Sequence, residues 1–281
     1  MLKLSYNTNG LRHLTVKEAL KTVSNYNYDG VELSLHEQHI HPLMTTKSEL
    51  EELKNFCSDH NIIISCVSAG ADNLLGDVPF EPSLINPNKA RRSIRKDFLK
   101  RSIEIANILN SPYLVFASGK LKDNIDSRMA YGWLLETIEE LLDECGDLTL
   151  LIEPEPEFLI STSTQAIQLI KDTHHEHFKM NLDIGHVNCC EENYLDAIDK
   201  AIPFTKHIHI EDIRDRIHYH EIPGQGHLDF SQIFNILREH KYDGYVSVEL
   251  YNHIGVHQKA LKESHDFLSK QIELLLKGQL H

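Results

Sequence analysis

Four residues draw attention for the chemistry they could do together: Glu153, Asp183, His209 and Glu249. Each stands at or near the end of a short run with β-strand character, namely Leu148 to Glu153, Lys179 to Asp183, Lys206 to Ile210 and Tyr245 to Leu250. Successive side chains along a strand face opposite sides. Val246, Val248 and Leu250 therefore point one way and Ser247 and Glu249 the other. The other three runs repeat this: Leu150 with Ile152, Met180 with Leu182, and Ile208 with Ile210 share the apolar parity, leaving Glu153, Asp183, and His207 with His209 on the polar one. If the runs are neighbours in a parallel sheet, strands about 4.8 Å apart can bring all four groups to one ion. Three carboxylates and an imidazole form a predominantly hard donor set, suited to one Mn2+, Mg2+ or Co2+ ion and compatible with Zn2+. Four protein ligands on a six-coordinate ion leave two positions for adjacent substrate oxygens, such as a ketone and its neighbouring hydroxyl. The plainer explanation, unrelated buried polar groups each with its own hydrogen bond, suffices for any one of them. Three carboxylates on one face, however, repel by on the order of several kcal/mol at intermediate dielectric, and a divalent cation relieves that repulsion.

The elements that must position these groups follow from the rest of the pattern. Strand-like runs are expected also at Leu2 to Tyr6, Gly30 to Leu35, Ile62 to Ser68 and Tyr113 to Ser118, with helical stretches between, so that strand and helix alternate eight times. Thr15 with Glu18 and Thr46 with Glu49 have capping-box spacing and mark the first two helices; Val256 to Leu276 would be the closing one. Such βαβ units close into a (β/α)8 barrel or remain an open doubly wound sheet. A polar face shared by four consecutive strands favours the barrel, with the site at the strands' C-terminal ends. The reading is one α/β domain, a TIM barrel over residues 1–281.

Composition limits the partners. The 42 acidic against 28 basic residues give a formal charge of −14, which repels phosphate backbones and argues against nucleic acid. The one basic cluster, Arg91, Arg92, Arg95, Lys96, Lys100 and Arg101, falls around Ile94, Phe98, Ile103 and Leu109 and is expected to be a solvated helix face. No run approaches the roughly 20 apolar residues of a membrane span, and the start has no basic lead followed by an apolar run. Five cysteines without a C-x-x-C pair suggest neither a disulfide framework nor a thiolate metal site. A cytoplasmic protein acting on a small carbohydrate-like molecule, without membrane and with room for homo-oligomerisation, is the expectation.

Five runs then carry a family resemblance: LLIEPEPE from Leu150, LDIGH from Leu182, HIHIED from His207, PGQGHLDF from Pro223 and YDGYVSVEL from Tyr242, with YDGVELSL from Tyr28 upstream. Together they resemble the xylose-isomerase-like barrel superfamily, which includes sugar and sugar-phosphate 3-epimerases, inosose isomerase and dehydratase, 3-dehydroshikimate dehydratase and endonuclease IV. The resemblance implies that Glu153, Asp183, His209 and Glu249 are the metal ligands and that Glu153 and Glu249 form an acid–base pair on opposite sides of the substrate. One would remove the proton next to a polarised ketone to give an enediolate, and the other would return a proton on the opposite face. A dehydratase would expel a β-hydroxyl from the same intermediate.

Further substrate contacts are implied for His186, for Arg214 or Arg216 after the seventh strand, and for His220, with His218 lining or capping the pocket beside it. Positioning of Asp183 is an alternative role for His186, and a surface ion pair with Asp212 or Asp215 an alternative for the arginines. The sequence departs from the epimerases at Leu159, where they carry a glutamate; Glu155 and Glu157 lie nearby. It also departs from endonuclease IV: CVSAG (from Cys66) and FASGK (from Phe116) end strands three and four without that enzyme's histidines, and His218 replaces its aspartate. The additional metal positions of the nuclease are therefore expected to be unfilled. Gly224-Gln225-Gly226 is read as a tight turn, Cys189-Cys190 as buried small residues, and His36, His39 and His41 as a surface loop.

Overall fold

A computed structural model describes residues 2–70, 73–122 and 125–278. Eight parallel strands close a barrel: β1 (Lys3–Asn7), β2 (Gly30–Ser34), β3 (Ile64–Ser68), β4 (Tyr113–Ala117), β5 (Thr149–Glu153), β6 (Phe178–Asp183), β7 (Thr205–Ile210) and β10 (Tyr245–Val248). An additional antiparallel pair, β8 (Asp212–Arg214) and β9 (Ile217–Glu221), forms a hairpin between β7 and the last barrel strand. Helices α1 (Val16–Asn25), α2 (Lys47–Asp59), α3 (Lys89–Ile108), α4 (Ser127–Leu142), α5 (Ser163–Thr173), α6 (Ile184–Cys190), α7 (Tyr194–Ala201), α8 (Phe230–Glu239) and α9 (His257–Leu276) surround it. None of the described helices is long and apolar enough to cross a membrane.

The expected strands are all present, with small shifts at their ends. The third begins at Ile64 because the N–H of Ile62 is still taken by the Cys57 carbonyl at the end of α2. Both anticipated capping boxes form, and Thr162 with Gln165 makes a third at the start of α5.

Strand parity sorts the core as argued. Leu150, Ile152, Met180, Leu182, Ile208, Ile210, Val246 and Val248 join the large apolar cluster shared with the helices. Cys66, Val115 and Leu151, on the opposite parity, form a small separate cluster with Tyr113 inside the barrel. The rest of that interior is polar yet fully buried: Ser5, Glu32, Asn181, His207 and Ser247 are all 0% exposed. Register places Asp183 and Ser247 opposite His209, one on each neighbouring strand, so the site is built where three strands end level.

The basic stretch in α3 differs from expectation. Ile94 is exposed, while Arg95 is buried and donates from Nε to the Pro82 carbonyl at 2.8 Å. Arg92 lies 4.3 Å from the Trp133 ring centroid, Lys100 bonds Glu144 at 2.5 Å, and Lys96 and Arg101 pair with Glu140 and Glu104. These cations are taken up by groups of the same chain: Trp133 and Glu140 lie on α4, against which α3 packs, and Glu144 just after it, while Glu104 is on α3 itself and Pro82 precedes it.

Candidate metal centre

The strand ends bring Glu153, Asp183, His209 and Glu249 together, with one donor atom of each within 4.8 Å of all the others. His209 Nδ1 lies 2.8 Å from Glu153 Oε1, 3.6 Å from Glu249 Oε2 and 3.8 Å from Asp183 Oδ2. His209 Nδ1 and Asp183 Oδ2 are buried without a hydrogen bond among the described residues. Orphaned buried acceptors aimed at one point are costly unless something positive sits between them. The residues present thus fit a divalent cation.

Every one of the four is steadied from behind. Asn181 Nδ2 donates to Glu153 Oε1 at 2.8 Å; Asn7 and Asn9 both donate to Glu249 Oε1, at 3.1 and 2.8 Å. Asp183 caps α6 by accepting the His186 N–H at 2.7 Å. Glu32, reaching in from β2, accepts from His209 Nε2 at 2.8 Å. Glu32 was not singled out in the sequence; an acid on the parity opposite Val31 and Leu33 was the signal that could have found it.

The electrostatics reflect crowding. Burial pushes Glu249 up to about 8, with Glu153, Asp183 and Glu32 adding repulsion against the pull of His209. Asp183 is held well below the usual range, because His186, His220 and His209 outweigh its burial. His209 is raised well above its ordinary value, Glu32, Glu249 and Glu153 overcoming burial.

A second cluster adjoins the first. His186 Nδ1 donates to the Pro154 carbonyl at 3.0 Å and His220 Nδ1 to the Glu249 carbonyl at 2.8 Å. Their Nε2 atoms consequently turn toward His218 Nε2, at 3.0 and 3.2 Å. Asp183, with Glu155, Glu153 and Glu249, overrides burial and raises His186 to about 9. Burial, with His186 alongside, holds His220 down to about 3 despite Asp183. These three rings also form a group able to hold a cation. The hairpin is the reason: residues two apart on β9 share a face, and that face meets His186 on α6.

Glu211 lies buried beside Asp183 with no hydrogen bond to either carboxyl oxygen among the described residues, and burial followed by Asp183 pushes it well above the carboxylate range. Gly185 makes room for it, since a Cβ there would fall 1.6 Å from Glu211 Oε1.

A cavity of about 310 Å³ opens over the three acids and the histidine, lined by Glu153, Glu249, Glu155, His186 and His218 together with Phe80 and Tyr251. Of the anticipated substrate contacts, His186 reaches this lining. His220 stands behind it, its ring 4.5 Å from that of Tyr251. Arg214 and Arg216 are not brought to it: both are exposed, Arg214 bonding the Gln225 carbonyl and Arg216 the Glu191 carbonyl at 2.9 Å. Asp212 is no surface partner for them, because it is 1% exposed and its carboxylate collects the backbone N–H groups of Ile213, Gly224, Gly226 and Leu228 at 2.8 to 3.0 Å. The Gly224-Gln225-Gly226 turn therefore wraps a side chain of its own protein. Glu157 is exposed and bonded to Lys120, and Leu159 packs on the core. Glu155 alone of the two neighbouring glutamates faces the cavity, its Oε2 3.9 Å from His186 Nδ1.

Comparison with known proteins gives the family and the fold. The provisionally named hydroxypyruvate isomerase of Danio rerio is 34% identical over 115 residues, 39% of this chain and 40% of that protein's length. The D-psicose 3-epimerase of Enterocloster bolteae is 25% identical over 244 residues, covering 83% of this chain and 76% of the relative. Among solved structures, a D-tagatose 3-epimerase-like protein superposes with a TM-score of 0.83 at 19% identity, over 98% of this chain and 99% of its own. A family model described as the xylose isomerase-like TIM barrel matches residues 20–271, and the chain belongs to that family.

Proposed function

We propose that the protein is a divalent-metal-dependent isomerase or epimerase of a small ketose, sugar phosphate or cyclitol. The observation that carries this reading is the pairing of Glu153 and Glu249 in one cavity, each held by amide donors beside Asp183 and His209. A bound metal would polarise a substrate carbonyl and hold its neighbouring oxygen. The chain's own residues do the rest. Either glutamate, fixed by Asn181 or by Asn7 and Asn9, can take the proton from the carbon next to the carbonyl while the other returns one to the opposite face. His186 and Glu155 sit where substrate hydroxyls would pass, and Glu155 supplies the carboxyl that position 159 lacks. A cavity of about 310 Å³ is at the small end for ligand sites, which suits a polyol. The similarity to sugar 3-epimerases points the same way.

The test is incubation of the Mn2+-loaded protein with D-fructose, D-psicose and D-tagatose in deuterated water. Epimerisation puts one deuteron on the carbon next to the carbonyl, with no loss of water; an enone product supports elimination instead. Glu153→Gln and Glu249→Gln should each lower kcat by about 10²- to 10⁴-fold while melting cooperatively. Unchanged turnover in both would overturn their roles.

One observation favours a second reading. The His186, His218 and His220 cluster would suit a multi-metal hydrolase acting on phosphodiesters. The charge of −14 opposes it. Incision of abasic-site DNA, together with more than one metal per chain by elemental analysis, would establish it.

A further inference from the structure

We infer that Glu32 is a positioning residue that dictates which ring nitrogen His209 offers to the metal. This rests on the metal reading above and adds a group that lies outside the ligand set. Glu32 is 0% exposed, and its two oxygens take two imidazoles, Oε1 facing His209 Nε2 at 2.8 Å and Oε2 facing His207 Nε2 at 2.9 Å.

A carboxylate only accepts, so each of those ring nitrogens must carry the hydrogen. A ring that ligates a metal is a neutral imidazole with one N–H; with that hydrogen on Nε2 of His209, Nδ1 is left as a lone pair. That lone pair is turned toward Glu153, Glu249 and Asp183, which are themselves acceptors. Without Glu32 the ring would gain by moving its hydrogen to Nδ1 and bonding Glu153, which removes it as a ligand. The carboxylate thus biases the tautomer toward metal binding and keeps the competing hydrogen bond from forming.

The barrel is built to let Glu32 reach. In the sheet, β10 and β1 lie between β7 and β2. The interior residues there are Ser247 and Ser5, paired in register with each other and both fully buried. Two small side chains leave a passage across the barrel that larger interior residues would close. His207 has a second part in this: it anchors Oε2 and so fixes the rotation that aims Oε1 at His209. A glutamine at position 32 could satisfy only one ring with its oxygen and would present an N–H2 to the other.

The experiment compares wild type, Glu32→Gln and His207→Gln, the last of which keeps an N–H donor for Glu32. Mn2+ affinity is measured by calorimetry. The His209 tautomer is read from imidazole 15N shifts of the Zn2+-loaded protein. Glu32→Gln should weaken Mn2+ by about 10- to 100-fold, and His207→Gln by less than about threefold. In the wild type, His209 should show a protonated Nε2. Equal Mn2+ affinity in wild type and Glu32→Gln, or equal losses in both variants, overturns the assignment. If Glu32→Gln fails to melt cooperatively, the wild-type spectrum decides: a protonated Nε2 supports the proposal and a protonated Nδ1 overturns it. Wild-type protein that binds no Mn2+ or Zn2+ instead overturns the metal reading itself.

Discussion

Buried polar side chains in this barrel are held in particular charge states by their immediate neighbours, and the clearest stability consequence lies away from the metal centre. His39, in the turn after β2, is 9% exposed. Burial first, and the His36 ring next, lower it from 6.5 to about 4, against the carbonyls of Leu11 and Leu14. Between those two values the unfolded chain binds the proton and the folded chain does not, so stability rises with pH across that window. The contribution is complete above about 6.5 and is lost as pH falls toward 4; at 1.36 kcal/mol per pH decade it amounts to about 2 kcal/mol by pH 5. Urea unfolding of wild type and His39→Gln at pH 7.5 and pH 5 checks this. The wild type should lose more stability than the variant over that interval, and equal losses would remove His39 from the account. The same scale shows what was legible in the sequence. Glu153, Asp183, His209 and Glu249 could be read because each breaks the apolar parity of its own strand. Asn7, Asn9 and Asn181 could not, because what makes them matter is a partner 28 to 242 residues away.

At the scale of elements, the alternation of strand and helix was legible because periods of two and near four are imposed by burial on one face. The β8–β9 hairpin was not. Its turn residues, Asp215 and Arg216, have φ values of 55° and 60°, a conformation that glycine or asparagine normally signals. Asp215 suits that conformation, but arginine and not glycine follows it, so the stretch read as a loop after the seventh strand, and with it the convergence of His218 and His220 on His186 was hidden. What holds the hairpin's base is Asp212, whose carboxylate gathers four backbone N–H groups from its own strand and from the glycine turn. Removing that acceptor leaves buried donors unsatisfied, each costing about 1 to 3 kcal/mol before relaxation. Asp212→Ala should therefore destabilise the protein by about 3 kcal/mol, and Asp212→Asn, which retains one accepting oxygen, by less. Guanidinium unfolding gives the ranking. Turnover should fall in Asp212→Ala even where the protein remains folded, because the hairpin carries His218 to the cavity wall. If Asp212→Ala matches wild type in both respects, the loop is held by something other than this carboxylate.

For the molecule as a whole, the candidate metal site is also a structural junction. Its four donor residues come from β5, β6, β7 and the end of β10, which are consecutive around the barrel wall. With no cation present, Glu153, Asp183 and Glu249 crowd together under burial, and folding must hold them there against their repulsion. A ligand that binds only the folded form stabilises it by about 2.7 kcal/mol at a concentration of 100 times Kd. At about 2 to 4 °C per kcal/mol for a chain of this size, Mn2+ at that level should raise Tm by roughly 5 to 10 °C, and a chelator should reverse it. Glu249→Gln separates this from nonspecific salt effects, because it acts with opposite sign on the two states. Glutamine removes a carboxyl that folding must either protonate or hold charged in the crowd, so the chelated variant should melt at or above chelated wild type. Its response to Mn2+ should shrink, because a ligand is gone. Scanning calorimetry of both proteins with chelator and with Mn2+ gives the four values. A shift of the same size in both, or none in wild type, would mean that the strand ends are not joined through an ion at this position.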